Sequence, residues 1–177
     1  MRTRYWVSAL VLALASAGFA AAQSSLALPS GGAVTGSAIS GKTRLSIRTA
    51  KGKRYVLRVT RDATVALNAR PSKLQLSGEI AGTALILTDT YPSRALGMSM
   101  CQAGEEIFLR VIALRPSGAR ETFHVKVASC RENLELADPG IVWSAQTGTL
   151  TIHWLMGPQG KDQQVLQISP DGAVQSQ

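Results

Sequence analysis

The sequence predicts an all-β fold of mainly antiparallel strands: a β-sandwich, immunoglobulin-like or otherwise, or a small β-barrel, with at most one or two short helices. Turn signals recur at short intervals, at Lys51-Gly52, Asn68 to Pro71, Ser77-Gly78, Pro116 to Gly118, Asp138-Pro139-Gly140, Thr147-Gly148, Gly157-Pro158 and Pro170-Asp171-Gly172. The segments between them are rich in Val, Ile, Leu, Thr and aromatic residues, and many alternate with period two. That spacing is the pattern of a sandwich or barrel. Sustained helical periodicity is absent, as is any internal repeat. Short helices are expected at most within Arg131–Ala137 and Ser93–Met100.

Residues 1–22 read as a signal peptide. Arg2 and Arg4 precede the apolar run WVSALVLALASAGFA, and Ala20-Ala21-Ala22 fits the small-x-small cleavage rule, which makes Gln23 the new N-terminus. The apolar run falls short of the roughly 20 residues that span a bilayer. No cysteine stands at the cleavage site, so a lipid anchor is not expected. The expected location is therefore the periplasm or the medium, by a Sec-type route. No later segment approaches membrane-spanning length.

Residues 23–41 are uncharged and rich in Ser, Gly and Ala, and they read as a flexible leader that ends in a weak first strand. Residues 42–177 then form one β domain, of a length that suits a single core. Its clearest hairpin comes first. In TRLSIRT, Leu45 and Ile47 alternate with Arg44, Ser46 and Arg48; in RYVLRVTR, Tyr55, Leu57 and Val59 alternate with Arg54, Val56, Arg58 and Thr60. Gly52 supplies the turn between them. If the apolar sets share one face, the arginines share the other.

A second hairpin is expected in the C-terminal half. Glu106–Leu114 is apolar on both faces except for Arg110, as a central strand would be, and Arg115 to Arg120 turn the chain. Phe123, Val125 and Val127 then point inward, with Thr122, His124 and Lys126 outward. Later strands are expected at Ile141–Trp143, Thr149–Leu155 and Gln163–Ile168. In the second of these Leu150, Ile152 and Trp154 form the inward set, which leaves His153 facing out. The run AGEEIFLRVIALRPSGARETFHVKV resembles a hairpin of bacterial immunoglobulin-like sandwiches, a likeness of fold and not of activity.

The two cysteines, Cys101 and Cys130, flank this hairpin. In an oxidising compartment a single disulfide is the expectation. A catalytic thiol would need a partner that lowers its pKa, and the nearest histidine, His124, lies mid-strand. His124 and His153 are isolated, in neither an HxH nor an HExxH pattern, so no metal site is expected. No GxSxG elbow, SxxK pair, phosphate loop or dinucleotide fingerprint is present. Glu105 and Glu106 are adjacent and would point to opposite faces of a strand. The protein is thus expected to be no enzyme and to carry no cofactor.

Charge is the more informative feature. The full chain carries +8, which becomes +6 without Arg2 and Arg4. Residues 42–73 hold ten basic residues and one acid, whereas residues 74–177 hold seven basic residues and ten acids. Arg44, Arg48, Arg54 and Arg58, with Lys51 and Lys53 at the hairpin tip, form a positive stripe. Such a stripe attracts an anionic envelope component or an acidic protein. The plainer reading is a solvated face whose cations discourage edge-to-edge pairing. Nucleic acid is not expected, since only Tyr55 interleaves the stripe for base stacking.

Two further candidates follow. The turn Arg115, Pro116, Ser117, Gly118 and Arg120 could enter an enzyme cleft. Its Ser117–Arg120 tetrapeptide is similar to the loop by which some periplasmic lysozyme inhibitors plug an active site. That resemblance implies the alternative function, a periplasmic inhibitor or immunity-type protein. The non-periodic segment 87–106, with Tyr91, Pro92, Arg94, Met98 and Met100, reads either as a binding loop or as a crossover that tucks its methionines into the core.

Overall fold

The computed structural model describes residues 24–39, 42–80, 82–95 and 100–177. The expected signal peptide lies outside these residues, as do Leu96 and Met98 of the 87–106 segment. The described residues form twelve strands in three antiparallel sheets of four. The first sheet holds β1 (Ser24–Ala27), β2 (Gly32–Ile39), β3 (Lys42–Thr49) and β4 (Arg54–Val59). The second holds β5 (Lys73–Ile80), β6 (Ala84–Pro92), β7 (Glu105–Arg115) and β8 (Gly118–Ser129). The third holds β9 (Glu135–Ser144), β10 (Thr149–Met156), β11 (Gln163–Ile168) and β12 (Val174–Ser176).

In every sheet the strands lie side by side in chain order. Each sheet is therefore an up-and-down meander, without the strand exchange between sheets that marks an immunoglobulin domain. The second sheet is the middle layer. One of its faces sends Leu74, Leu85, Leu87, Ile112 and Leu114 against Val34, Leu45, Ile47, Tyr55, Leu57 and Val59 of the first sheet. The other sends Ile86, Leu109, Val111 and Val127 against Leu150, Ile152, Trp154, Leu166 and Ile168 of the third.

This layering explains where the sequence pattern fails. Every residue from Ala84 to Tyr91 is buried, because both faces of β6 are covered and the period-two signal is lost. Leu87–Pro92, expected in a long loop, belong to this strand. The Ser77-Gly78 turn signal marks a register shift inside β5. A Cβ on Gly78 would overlap the Trp143 indole, so glycine is required there by close approach. Asp138-Pro139-Gly140 likewise lies within β9, with a cis Asp138–Pro139 peptide.

The leader expectation is corrected in the same way. Residues 24–27 and 32–39 form β1 and β2, a hairpin whose β2 strand pairs with β3 along its whole length. Small residues with little apolar content still form strands when β3 offers a free edge and Val34 reaches the core. Residues 131–137 form a turn and the start of β9, not a helix; the short helical turns are 3-10 segments at Met100–Ala103 and Pro158–Gly160. Cys101 and Cys130 are bonded, with Cα atoms 5.7 Å apart.

Candidate functional site

The β3–β4 hairpin turns through Gly52, whose φ of 79° suits a residue without a Cβ. Its register sets Arg44 opposite Arg58, Ser46 opposite Val56 and Arg48 opposite Arg54. The alternate residues Leu45, Ile47, Tyr55, Leu57 and Val59 are buried. All four arginines therefore stand on the outer face of the first sheet, as two directly opposed pairs. Lys42 has the parity of Arg44 and is exposed, so a fifth cation joins the face.

Opposed like charges in a cross-strand pair are destabilising. No carboxylate relieves them: among the described residues the side chains of Lys42, Arg44, Arg48, Arg54 and Arg58 have no hydrogen-bond or ion-pair partner. Apart from Ile39, in register with Lys42, the neighbouring strands add small side chains to this face. In register with Arg48 lie Ala33 and Ala27, and in register with Ser46 lie Thr35 and Ser25. Val56, 56% exposed, stands between Arg54 and Arg58.

The two lysines of the expected site do not share this arrangement. Lys51 is exposed in the turn. Lys53 has the parity of Tyr55 and leans to the inner side, donating a 2.9 Å hydrogen bond to the Pro116 carbonyl with its Nζ 4.9 Å from the Tyr55 ring. Parity along the strand, extended back from Tyr55, would have separated Lys53 from the arginines.

The alternative loop is small and tied down. Arg115 pairs with Gly118, which leaves a two-residue turn of Pro116 and Ser117. Arg115 lies 3.7 Å from Asp171, Pro116 accepts from Lys53, and Arg120 is paired in register with Ala113. The turn joins its neighbours at an end of the molecule where the hairpin turns of all three sheets meet, through contacts such as Ser30 with Glu79 and Thr83 with Pro170.

A buried ionic cluster escapes the sequence reading. Arg110 Nε lies 2.8 and 2.9 Å from the two oxygens of Asp89, and Arg110 Nη1 bonds Glu121. Arg110 and Asp89 are fully buried. Tyr91 donates to Asp89, and the Arg110 guanidinium stacks 5.0 Å from the Phe108 ring centre. Burial pushes the Asp89 carboxyl up against the pull of Arg110. Burial alone would lower the Arg110 guanidinium, but Asp89 outweighs it and holds it above its ordinary value. Burial, and then the Asp89 charge, raise the Tyr91 phenol.

Lys126, expected to face solvent, is the hub of a second group. Its side chain is only 8% exposed and reaches Asp62 at 2.5 Å, Glu132 at 2.6 Å and Glu106 at 3.7 Å. The first cluster is tied to the end of the first sheet, since Glu121 also accepts from the Thr60 amide and hydroxyl, and the second ties β8 to the segment after β4 and to the turn before β9. Their geometry is that of a clamp. A charged residue inside an apolar strand asks for a buried partner, so Asp89 in ALILTDTY and Arg110 in IFLRVIAL were the available signal.

The histidines assemble no catalytic group. His124 Nδ1 lies 4.0 Å from Glu121, and among the described residues no hydroxyl hydrogen-bonds either histidine. No group of three or more His, Cys, Asp or Glu side chains is placed to hold a metal among the described residues. No helix of the described residues is long and apolar enough to cross a membrane. No family model, curated protein or solved structure matches this chain.

Proposed function

We propose that the protein is a non-enzymatic binding module of the cell envelope, whose outer first-sheet face contacts an anionic partner, either an envelope component or an acidic protein. One observation carries this reading: Arg44 with Arg58, and Arg48 with Arg54, are opposed across the ladder without any carboxylate to relieve them. Three cations elsewhere in the chain show the contrast. Arg110, Lys126 and Arg115 each meet an acid. A face that keeps unrelieved positive charge is set up to meet negative charge from outside. The interior clusters and the disulfide supply the rigid scaffold behind it.

Replacing Arg44, Arg48, Arg54 and Arg58 together by Glu tests the reading. The variant should lose association with an isolated envelope fraction while its circular dichroism and melting transition stay those of a folded protein. Unchanged association by the folded variant would remove the face as the site.

A further inference from the structure

We propose that the anionic partner is a lipid surface, and that the first sheet docks flat on a bilayer rich in anionic phospholipid. This rests on the binding reading above and specifies its partner. The face is broad. With strands of up to eight residues and four strands abreast, it measures about 27 Å by about 14 Å. Side chains on its β1–β2 half are Ala, Ser and Thr, with Ile39 opposite Lys42 at one end. Five cavities of the described residues, of about 240 to 610 Å³, are all lined by residues other than Arg44, Arg48, Arg54 and Arg58. None of these five would enclose a small anionic molecule against the arginines.

The spacing of the charges favours a layer over a protein. The two arginine pairs are four residues apart along the strands, about 14 Å, which exceeds the screening length of about 8 Å in physiological salt. Each pair consequently acts as its own anion subsite. An acidic protein would have to place carboxylates at both subsites in register. A headgroup layer offers phosphates at every position and needs no register. Val56, exposed between Arg54 and Arg58, adds an apolar tip at the centre of the cations, the arrangement of an interfacial surface. Charge polarity completes the argument, because residues 42–73 are strongly basic and residues 74–177 carry more acids than bases. The molecule would approach a negative layer with its first sheet leading.

Vesicle co-sedimentation of the chain from residue 23 onward tests this, with polyglutamate as a second, soluble polyanion. Vesicles of phosphatidylglycerol and phosphatidylcholine in equal parts should bind the protein, and pure phosphatidylcholine should not. R44Q/R58Q and R48Q/R54Q should each weaken binding about 30-fold, and the fourfold variant about a thousandfold, from the contribution of each cation near an anionic surface. Arginine-independent vesicle binding, or equal binding to pure phosphatidylcholine, overturns the inference. Arginine-dependent binding to polyglutamate without vesicle binding overturns it too, yet leaves the anionic-partner reading standing. Failure of the folded wild type to bind either one sinks both.

Discussion

Arg44 stands directly opposite Arg58 across the β3–β4 ladder, two like charges in one cross-strand pair. The arrangement costs stability and is kept without a local counter-charge. Relieving it should therefore stabilise the fold while weakening binding, the trade-off expected where a functional surface is not optimised for stability. Arg58→Thr should raise the unfolding free energy by a few tenths of a kcal/mol at low salt. Added salt should erase most of the gain. Melting curves at two ionic strengths check this, and a loss of stability on relief would mean that Arg58 has an unrecognised partner.

The buried pair beneath should behave in the opposite sense. Arg110→Met leaves the Asp89 carboxylate buried beside Tyr91 without its cation. Breaking a buried pair in this way costs about 3–5 kcal/mol, far more than any single change on the outer face. Denaturant unfolding measures it; a cost below about 1 kcal/mol would show that water enters the cluster.

Acid should release the second cluster. Burial pushes the Asp62 carboxyl up, but the hydrogen bonds from Lys126 and Thr64 outweigh it and hold the group below its ordinary 3.8. A depressed carboxyl contributes stability that is present above 3.8 and lost as the pH falls through the folded value. Burial alone would lower the Lys126 ammonium, yet Asp62 and Glu132 hold it above its ordinary 10.5. That contribution is whole below 10.5 and is lost only as the pH rises through the folded value. Asp62→Asn should thus lower the melting temperature at neutral pH, and the deficit should close as acid protonates Asp62 in the wild type. A deficit that stays constant down the acid limb would assign the effect to the Asp62–Thr64 turn instead.

Opening the disulfide should matter more to stability than to binding. Cys101 and Cys130 enclose a loop of 29 residues' separation, and closing a loop of this size contributes about 3–4 kcal/mol on the chain-entropy account. The double Cys→Ser variant should unfold at correspondingly lower denaturant. It should still bind at temperatures where it is folded, since Cys101 and Cys130 flank strands β7 and β8 of the middle sheet and the arginines belong to the outer one.

The outer layers were legible in the sequence because each has one wet face. Leu45, Ile47, Tyr55 and Leu57 alternate with polar residues, and so do Leu150, Ile152 and Trp154. From this alternation the shared face of the four arginines follows directly. The middle layer was only half legible. Burial on both sides removes the alternation from β6, and a single charge inside an apolar run, Asp89 or Arg110, does not name its partner. Lys126 looked like a solvent-facing strand residue because nothing local announces that Asp62, sixty-four positions earlier, closes over it. The strands β1 and β2 were hidden for another reason: their Ser, Gly and Ala content is that of a linker, and only the free edge of β3 makes them strands.

The central claim is that the sign of the charge on the outer face, and not charge itself, is what the protein uses. A solvated face that merely discourages edge pairing would be served by either sign. The most direct measurement compares envelope association of three folded proteins: the wild type, a variant with Arg44, Arg48, Arg54 and Arg58 all replaced by Lys, and one with all four replaced by Glu. The expected result is that the Lys variant keeps most of the association and the Glu variant loses it, with both soluble. Retention by the Glu variant at the wild-type level would contradict the account.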